Sequence, residues 1–204
     1  MAVALEPIGA DPNQVELLIQ GPSHPVVEWQ SDARPTPLAA QVSPGASSDW
    51  VAVLTGLSTA ERGPLLVSDA ASDGSTVAFG WVLEGPANNR ASEIHALDGE
   101  LAVTLAEETA PNARVSILRP PGRAAMAGPY LLSATSDLTR VGAVFSPALY
   151  AQGFPDDVAS ALRVFRDDGD SRWREVPSVV HSTIGRVAFE AELPGTYVLA
   201  EIEQ

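Results

Sequence analysis

The sequence predicts an all-β protein built as two tandem antiparallel β-sandwich domains. Three observations carry this. Apolar and polar residues alternate in short runs, most plainly in Leu162–Arg166, Val187–Ala191 and Thr196–Leu199. Turn formers such as Asp167-Asp168-Gly169-Asp170 and Pro194-Gly195 separate these runs. Helical periodicity is scarce, while 17 Pro and 16 Gly punctuate the chain as short strands require. A period of two places successive side chains on opposite faces of a sheet, one of them buried.

The elements follow in order. Residues 1–13 read as an irregular lead-in containing Pro7 and Pro12. Val15–Ile19, Val26–Trp29, Leu38–Val42 and Trp50–Leu54 read as strands, with Arg34–Pro37 as an extended linker. Leu65–Val67 and Thr76–Leu83 flank Asp73-Gly74, a hairpin signal. Residues 14–86 thus form the first predicted domain. Gly85–Arg90 joins backbone breakers to polar residues and marks a boundary; residues 91–204 form the second domain. There, strands Ile94–Leu97 and Leu101–Leu105 enclose the turn Asp98-Gly99, and Val115–Leu118, Tyr130–Ser133, Val141–Phe145 and Ala148–Ala151 continue the series. Asp156–Ser160 reads as a short helical turn.

Two phrases resemble known families. Trp50-Val51-Ala52-Val53-Leu54-Thr55-Gly56-Leu57 resembles a fibronectin type III strand leading into a Gly-Leu corner, over residues 13–84. From residue 92 to 202 the order of phrases resembles a ZU5-type module, related to autoproteolysis-inducing folds. Its opening hairpin corresponds to Ile94–Leu105, its Phe-X-Pro phrase to Phe145-Ser146-Pro147, and its closing aromatic positions to Trp173 and Tyr197. The loop Leu105–Pro111 departs from the family pattern. Self-cleaving relatives carry His-X-Ser or His-X-Thr on the closing strands, where the hydroxyl attacks the preceding carbonyl. This chain has Glu192–Gly195 at that place, without His or a placed hydroxyl; His181-Ser182-Thr183 lies upstream and reads as a hairpin turn.

Composition bounds function. The net charge is −14 and the isoelectric point about 4.4, which opposes nucleic acid and anionic membrane surfaces as partners. All 12 basic residues are Arg, so no lysine serves catalysis. No Cys is present, which removes disulfides, thiol nucleophiles and thiolate metal sites. The opening Met1–Pro7 has neither a basic n-region nor an apolar h-region, so no signal peptide is expected in this chain. An extracellular or cell-surface setting is the expectation. No apolar run approaches the roughly 20 residues that span a bilayer.

The remaining constellations yield no assigned catalytic, cofactor-binding or metal residue. Asp167-Asp168-Gly169-Asp170 supplies only part of the six to eight oxygens that calcium takes. It reads as a turn, with weak calcium binding as the alternative. His24, His95 and His181 fall in different elements, against a zinc site. No Gly-X-Ser-X-Gly elbow occurs. Leu193-Pro194-Gly195-Thr196 resembles a sortase signal, but Tyr197 replaces the needed Gly. Trp29, Trp50, Trp81 and Trp173 each sit in an alternating run and are expected in the core. Arg163, Arg166, Arg172 and Arg174 are expected in cross-strand ion pairs. The function expected is a non-catalytic structural or protein-interaction module of a larger bacterial surface or extracellular assembly, contacting protein neighbours. The alternatives are a self-cleaving domain at His181-Ser182-Thr183 and a carbohydrate-binding module that stacks an exposed Trp on sugar.

Overall fold

A computed structural model describes residues 4–11, 14–45, 49–58, 60–71, 75–85, 92–105, 113–121, 126–134, 138–168 and 172–202. The fold is all-β, and its sheets are antiparallel. In the first half lie β1 (Ala4–Asp11), β2 (Gln14–Gln20), β3 (Pro25–Trp29), β4 (Leu38–Ala39), β5 (Gln41–Pro44), β6 (Trp50–Thr55), β7 (Ala60–Asp69) and β8 (Thr76–Glu84). The second half contributes β9 (Ser92–His95), β10 (Leu101–Leu105), β11 (Val115–Arg119), β12 (Ala127–Ala134) and β13 (Arg140–Phe145). The short helix α1 (Asp156–Ala161) then leads into β14 (Leu162–Asp167). β15 (Trp173–Val176), β16 (Ser178–His181), β17 (Arg186–Glu192) and β18 (Gly195–Glu201) complete the chain.

The described residues form three sheets. One has four strands in the order β1-β2-β6-β5, and a second has five, β16-β17-β13-β10-β9. The third has nine, β15-β14-β18-β12-β11-β8-β7-β3-β4. This long sheet crosses the segment 85–90, because β8 pairs with β11 from Val115↔Glu84 to Arg119↔Gly80. Most of that segment, the Asp73-Gly74 turn and the 106–112 loop lie outside the described residues.

Side-chain alternation at the crossing places the two cores on opposite faces of the long sheet. Phe79, Trp81 and Leu83 join Val15, Leu17, Ile19, Ala52 and Leu54 under the four-stranded sheet, together with Leu118 from β11. Val82, Val115 and Ile117 point the other way, into a core with Leu101, Val103, Phe145, Phe189 and Tyr197 under the five-stranded sheet. Paired residues of an antiparallel ladder share a face. Leu118↔Trp81 and Ile117↔Val82 are adjacent pairs, so each core receives one of them. Trp29 and Trp81 stack with centroids 4.1 Å apart, worth about 0.5–1.5 kcal/mol beyond their burial. Their indole N–H groups donate to Gly63 O and Ser116 Oγ, so neither buried donor is stranded.

Several expectations change. Residues 4–11 form β1, paired along β2, where an irregular lead-in was expected. The expected strand Leu38–Val42 divides into β4 and β5, which belong to different sheets. Ala148–Tyr150 is a 3-10 turn rather than a strand, entered from extended Pro147. Trp173 is exposed at 46% and Trp50 is only partly buried, so two of the four Trp lie in the core. Trp173 leaves the core because β15 is the last strand of its sheet and its Trp173, Arg174 and Glu175 all face solvent. The expected helical turn at Asp156–Ser160 is α1, whose Asp156 and Asp157 favour the positive N-terminal end of the helix.

Candidate functional site

β15 and β16 are joined by the single residue Pro177, yet they belong to different sheets. β15 ends the nine-stranded sheet and β16 ends the five-stranded one. The chain therefore switches sheets at a proline, which lacks a backbone N–H and suits such a break in pairing. An end strand exposes a row of N–H and C=O groups on its outer side. Trp173 on β15 and Val179 on β16, the latter 59% exposed, add apolar surface beside that row.

A cavity of about 440 Å³ opens at this switch point. Val176 and Pro177 form one wall, and Arg140, Arg166, Arg174, Glu190, Glu192 and Tyr197 supply the rest. Register explains the basic concentration. Arg166 and Arg174 stand directly opposite each other on β14 and β15. Like charges so placed repel. Glu192, at the end of β17, lies 2.5 Å from Arg166 Nη1 and 3.8 Å from Arg174 Nη2, and offsets the repulsion. Arg140, at the start of β13, reaches Glu190 at 3.0 Å and Glu192 at 3.6 Å. Arg174 Nε also donates to Asp168 at 3.0 Å, and this hydrogen bond raises its pKa.

The turn from β17 to β18 is held from both sides. Tyr197 OH accepts from Glu192 N–H at 2.7 Å and donates to Glu192 O at 2.8 Å. Burial raises the Tyr197 pKa. Arg166 Nη2 donates to Pro194 O, and the Leu193–Pro194 peptide is cis. Gly195 is needed here for space: a Cβ would stand 2.8 Å from the Tyr197 ring and 3.0 Å from Arg166 Nε. The Glu192–Gly195 stretch is thus braced by tyrosine and arginine, and no hydroxyl nucleophile lies within it.

The other sequence candidates are dispersed. His95 and His181 occupy β9 and β16, opposite ends of the five-stranded sheet, four strand spacings or about 19 Å apart. His24 lies in the other half, with its ring 5.9 Å from Trp50. No group of three or more metal-binding side chains occurs among the described residues. His181 ends β16, and Ser182–Ile184 form a 3-10 turn closed by Gly185 in the left-handed region at φ 62°. Ser182 O accepts from Phe154 N–H at 2.7 Å, and a Cβ on Gly185 would collide with Tyr150 O. That turn is therefore clamped against residues 150–154. Asp168 pairs with Arg174, while Gly169 and Asp170 lie outside the described residues. Arg163 pairs with Glu175 at 3.3 Å. Arg163 thus forms the expected cross-strand ion pair, whereas Arg166 reaches Glu192 of the other sheet and Arg174 pairs with Asp168 across the turn; no ion pair of Arg172 is seen among the described residues.

A second carboxylate–arginine centre lies in the first half and escaped the sequence. Glu61 has a fully buried side chain on β7. Arg34 Nε donates to both its oxygens at 3.0 and 3.1 Å, and Ser58 N–H donates at 2.6 Å. Burial alone would push its pKa up, but Arg34, Ser58 and Ser31 outweigh burial and hold it at about 2. The signal existed: alternation back from Val67 and Leu65 places residues 63 and 61 on the buried face.

Comparisons with protein-family models, curated proteins and solved structures give no match. The likenesses to ZU5 and fibronectin type III modules therefore stand on the residues quoted for them.

Proposed function

We propose that this chain is a non-catalytic protein-interaction module, two β-sandwich domains fused through a shared sheet, that acts within a larger bacterial surface or extracellular assembly. Its C-terminal half is the ZU5-like part. Its working surface is the β15–Pro177–β16 side, where an extended segment of a neighbouring protein adds as a further strand. The observation that carries this reading is the placement of two consecutive strands at the ends of two different sheets. Exposed Trp173 and Val179 flank them and supply the apolar contacts that strand addition uses for specificity.

The test is binding of extended peptides, followed by hydrogen–deuterium exchange on the complex. Protection of amides in 173–181, with β4 and β9 unchanged, is the expected result. Protection confined to another edge, or none, removes the proposal. Two readings compete on the same protein. Denaturing electrophoresis giving two fragments that meet near residue 182 would favour self-cleavage. Glycan binding that disappears in Trp173→Ala would favour a carbohydrate module.

A further inference from the structure

We infer that the partner segment added to β16 ends in a free carboxylate, which enters the arginine-lined cavity with an apolar last residue. This rests on the strand-addition reading above and names its ligand class.

Direction comes first. Every strand pairing among the described residues is antiparallel, including β16 with β17. An antiparallel segment on the outer side of β16 would run from the His181 end toward the Ser178 end. Its C-terminus would then arrive about 5 Å from the chain at Ser178 and Pro177, one strand spacing away. Pro177 is itself a wall of the cavity.

Charge comes second. In a chain of net charge −14, three of the 12 Arg converge on this one cavity. Glu190, Glu192 and Asp168 already lie among them, so the cluster is neutral as a sum. The distribution of donors is uneven, however. Arg166 is the enclosed member, tied to Glu192 and Pro194 O. Arg140 and Arg174 are 61% and 53% exposed and form the mouth. A guanidinium carries five N–H donors in a planar fork. Among the described residues Arg174 donates through Nε and Arg140 through Nη1, and no hydrogen bond of Arg174 Nη1 or Arg140 Nε is seen there. These donors are suited to a carboxylate, which a guanidinium binds through paired, charge-assisted hydrogen bonds. Val176, Pro177 and the Tyr197 ring give the same cavity an apolar lining for a terminal side chain.

Arrays of random hexapeptides, each synthesised once with a free C-terminal carboxylate and once as the amide, test this directly. Free acids with an apolar last residue are expected to bind at least tenfold tighter than their amides. Arg174→Gln and Arg140→Gln, checked for folding by circular dichroism, should each cost the acids fivefold or more and leave the amides unchanged. Glu192→Gln removes a competing carboxylate and should strengthen acid binding several-fold. Equal binding of acids and amides, with 173–181 still protected from exchange, overturns the carboxylate inference and leaves strand addition standing. Absence of binding by both sets, or protection elsewhere, overturns both.

Discussion

The β8–β11 junction and the β15–β16 edge are opposite answers to the same backbone problem. At the junction each strand is paired on both sides and covered on both faces. Trp81, Val82 and Leu83 are all buried, as are Val115, Ser116, Ile117 and Leu118. Such a strand has no polar face, and its sequence loses alternation. At the edge, β15 buries only Val176, and β16 alternates between half-buried and exposed positions. The carboxylates differ likewise. Glu61 is enclosed and held by a guanidinium fork and a backbone N–H, whereas Glu192 is 45% exposed and shared among three Arg. Pairing on both sides and burial on both faces make the junction structural. At the edge, by the proposal above, a partner strand would use the outer donors of β15 and β16.

The largest expected effect tests whether the junction couples the halves. Leu118 lies on β11, beyond the 85–90 segment, yet packs in the N-terminal core with Trp29 and Trp81. Leu118→Ala should cost about 2–5 kcal/mol. Tryptophan fluorescence and far-UV circular dichroism should report the same lowered midpoint, as a single cooperative transition requires. A shift seen by fluorescence alone would show that the halves unfold independently.

Next in size is the enclosed carboxylate. Glu61→Gln leaves Arg34 without its counter-charge. Breaking a fully buried pair costs about 3–5 kcal/mol, and the partial exposure of Arg34 brings the expectation to about 2–3 kcal/mol. The pH dependence has a defined sign. Glu61 is held at about 2 in the folded chain, against about 4.3 in an unfolded one. A lowered carboxyl pKa gives stability that is fully present above the unfolded value and is lost as pH falls toward the folded one. Asp69, also held at about 2 by Ser23 N–H, Ala71 N–H, His24 N–H and the Ser23 hydroxyl, acts in the same direction. Melting temperature should therefore drop between about pH 4.5 and 2. Glu61→Gln should flatten that slope in thermal scans, and an unchanged slope would discard the assignment.

Glu192→Gln makes the matched comparison. Exposed ion pairs contribute about 0–1 kcal/mol, because water screens them. Urea denaturation should place this variant within about 1 kcal/mol of the parent. A loss equal to that of Glu61→Gln would erase the distinction between the two centres.

How much of this was legible in the chain follows from the range of the interactions. Alternation within single strands is local, so β2, β6, β13, β14, β17 and β18 could be placed from their own residues. Pairing across 85–90 is not local. Trp81-Val82-Leu83 reads as a strand, but nothing nearby says that its free side receives Val115–Arg119. The cavity is harder still, because Arg140, Arg166, Arg174 and Glu192 meet only after four strands assemble. The acid at 61 was readable in principle, and missing it came from ending the strand at Leu65 rather than following the alternation back through Gly63. Trp173 shows the converse limit. Its run alternates like a core strand, yet being last in the sheet exposes it.

That exposure sets the smallest expected effect. Among the described residues β15 pairs through its backbone with β14 alone, and Trp173 pairs with Asp167 near the end of the ladder. Removing such a side chain creates no enclosed cavity and strands no buried polar group. Trp173→Ala should therefore change unfolding free energy by no more than about 0.5 kcal/mol. A large aromatic on an end strand is costly to solubility unless something covers it, and on the strand-addition proposal the partner is what covers it. The same variant should weaken peptide binding and reduce amide protection at 173–176 while leaving the melting temperature in place. If instead it melts several degrees earlier, Trp173 is holding β15 onto β14, and the edge belongs with the structural half of the comparison.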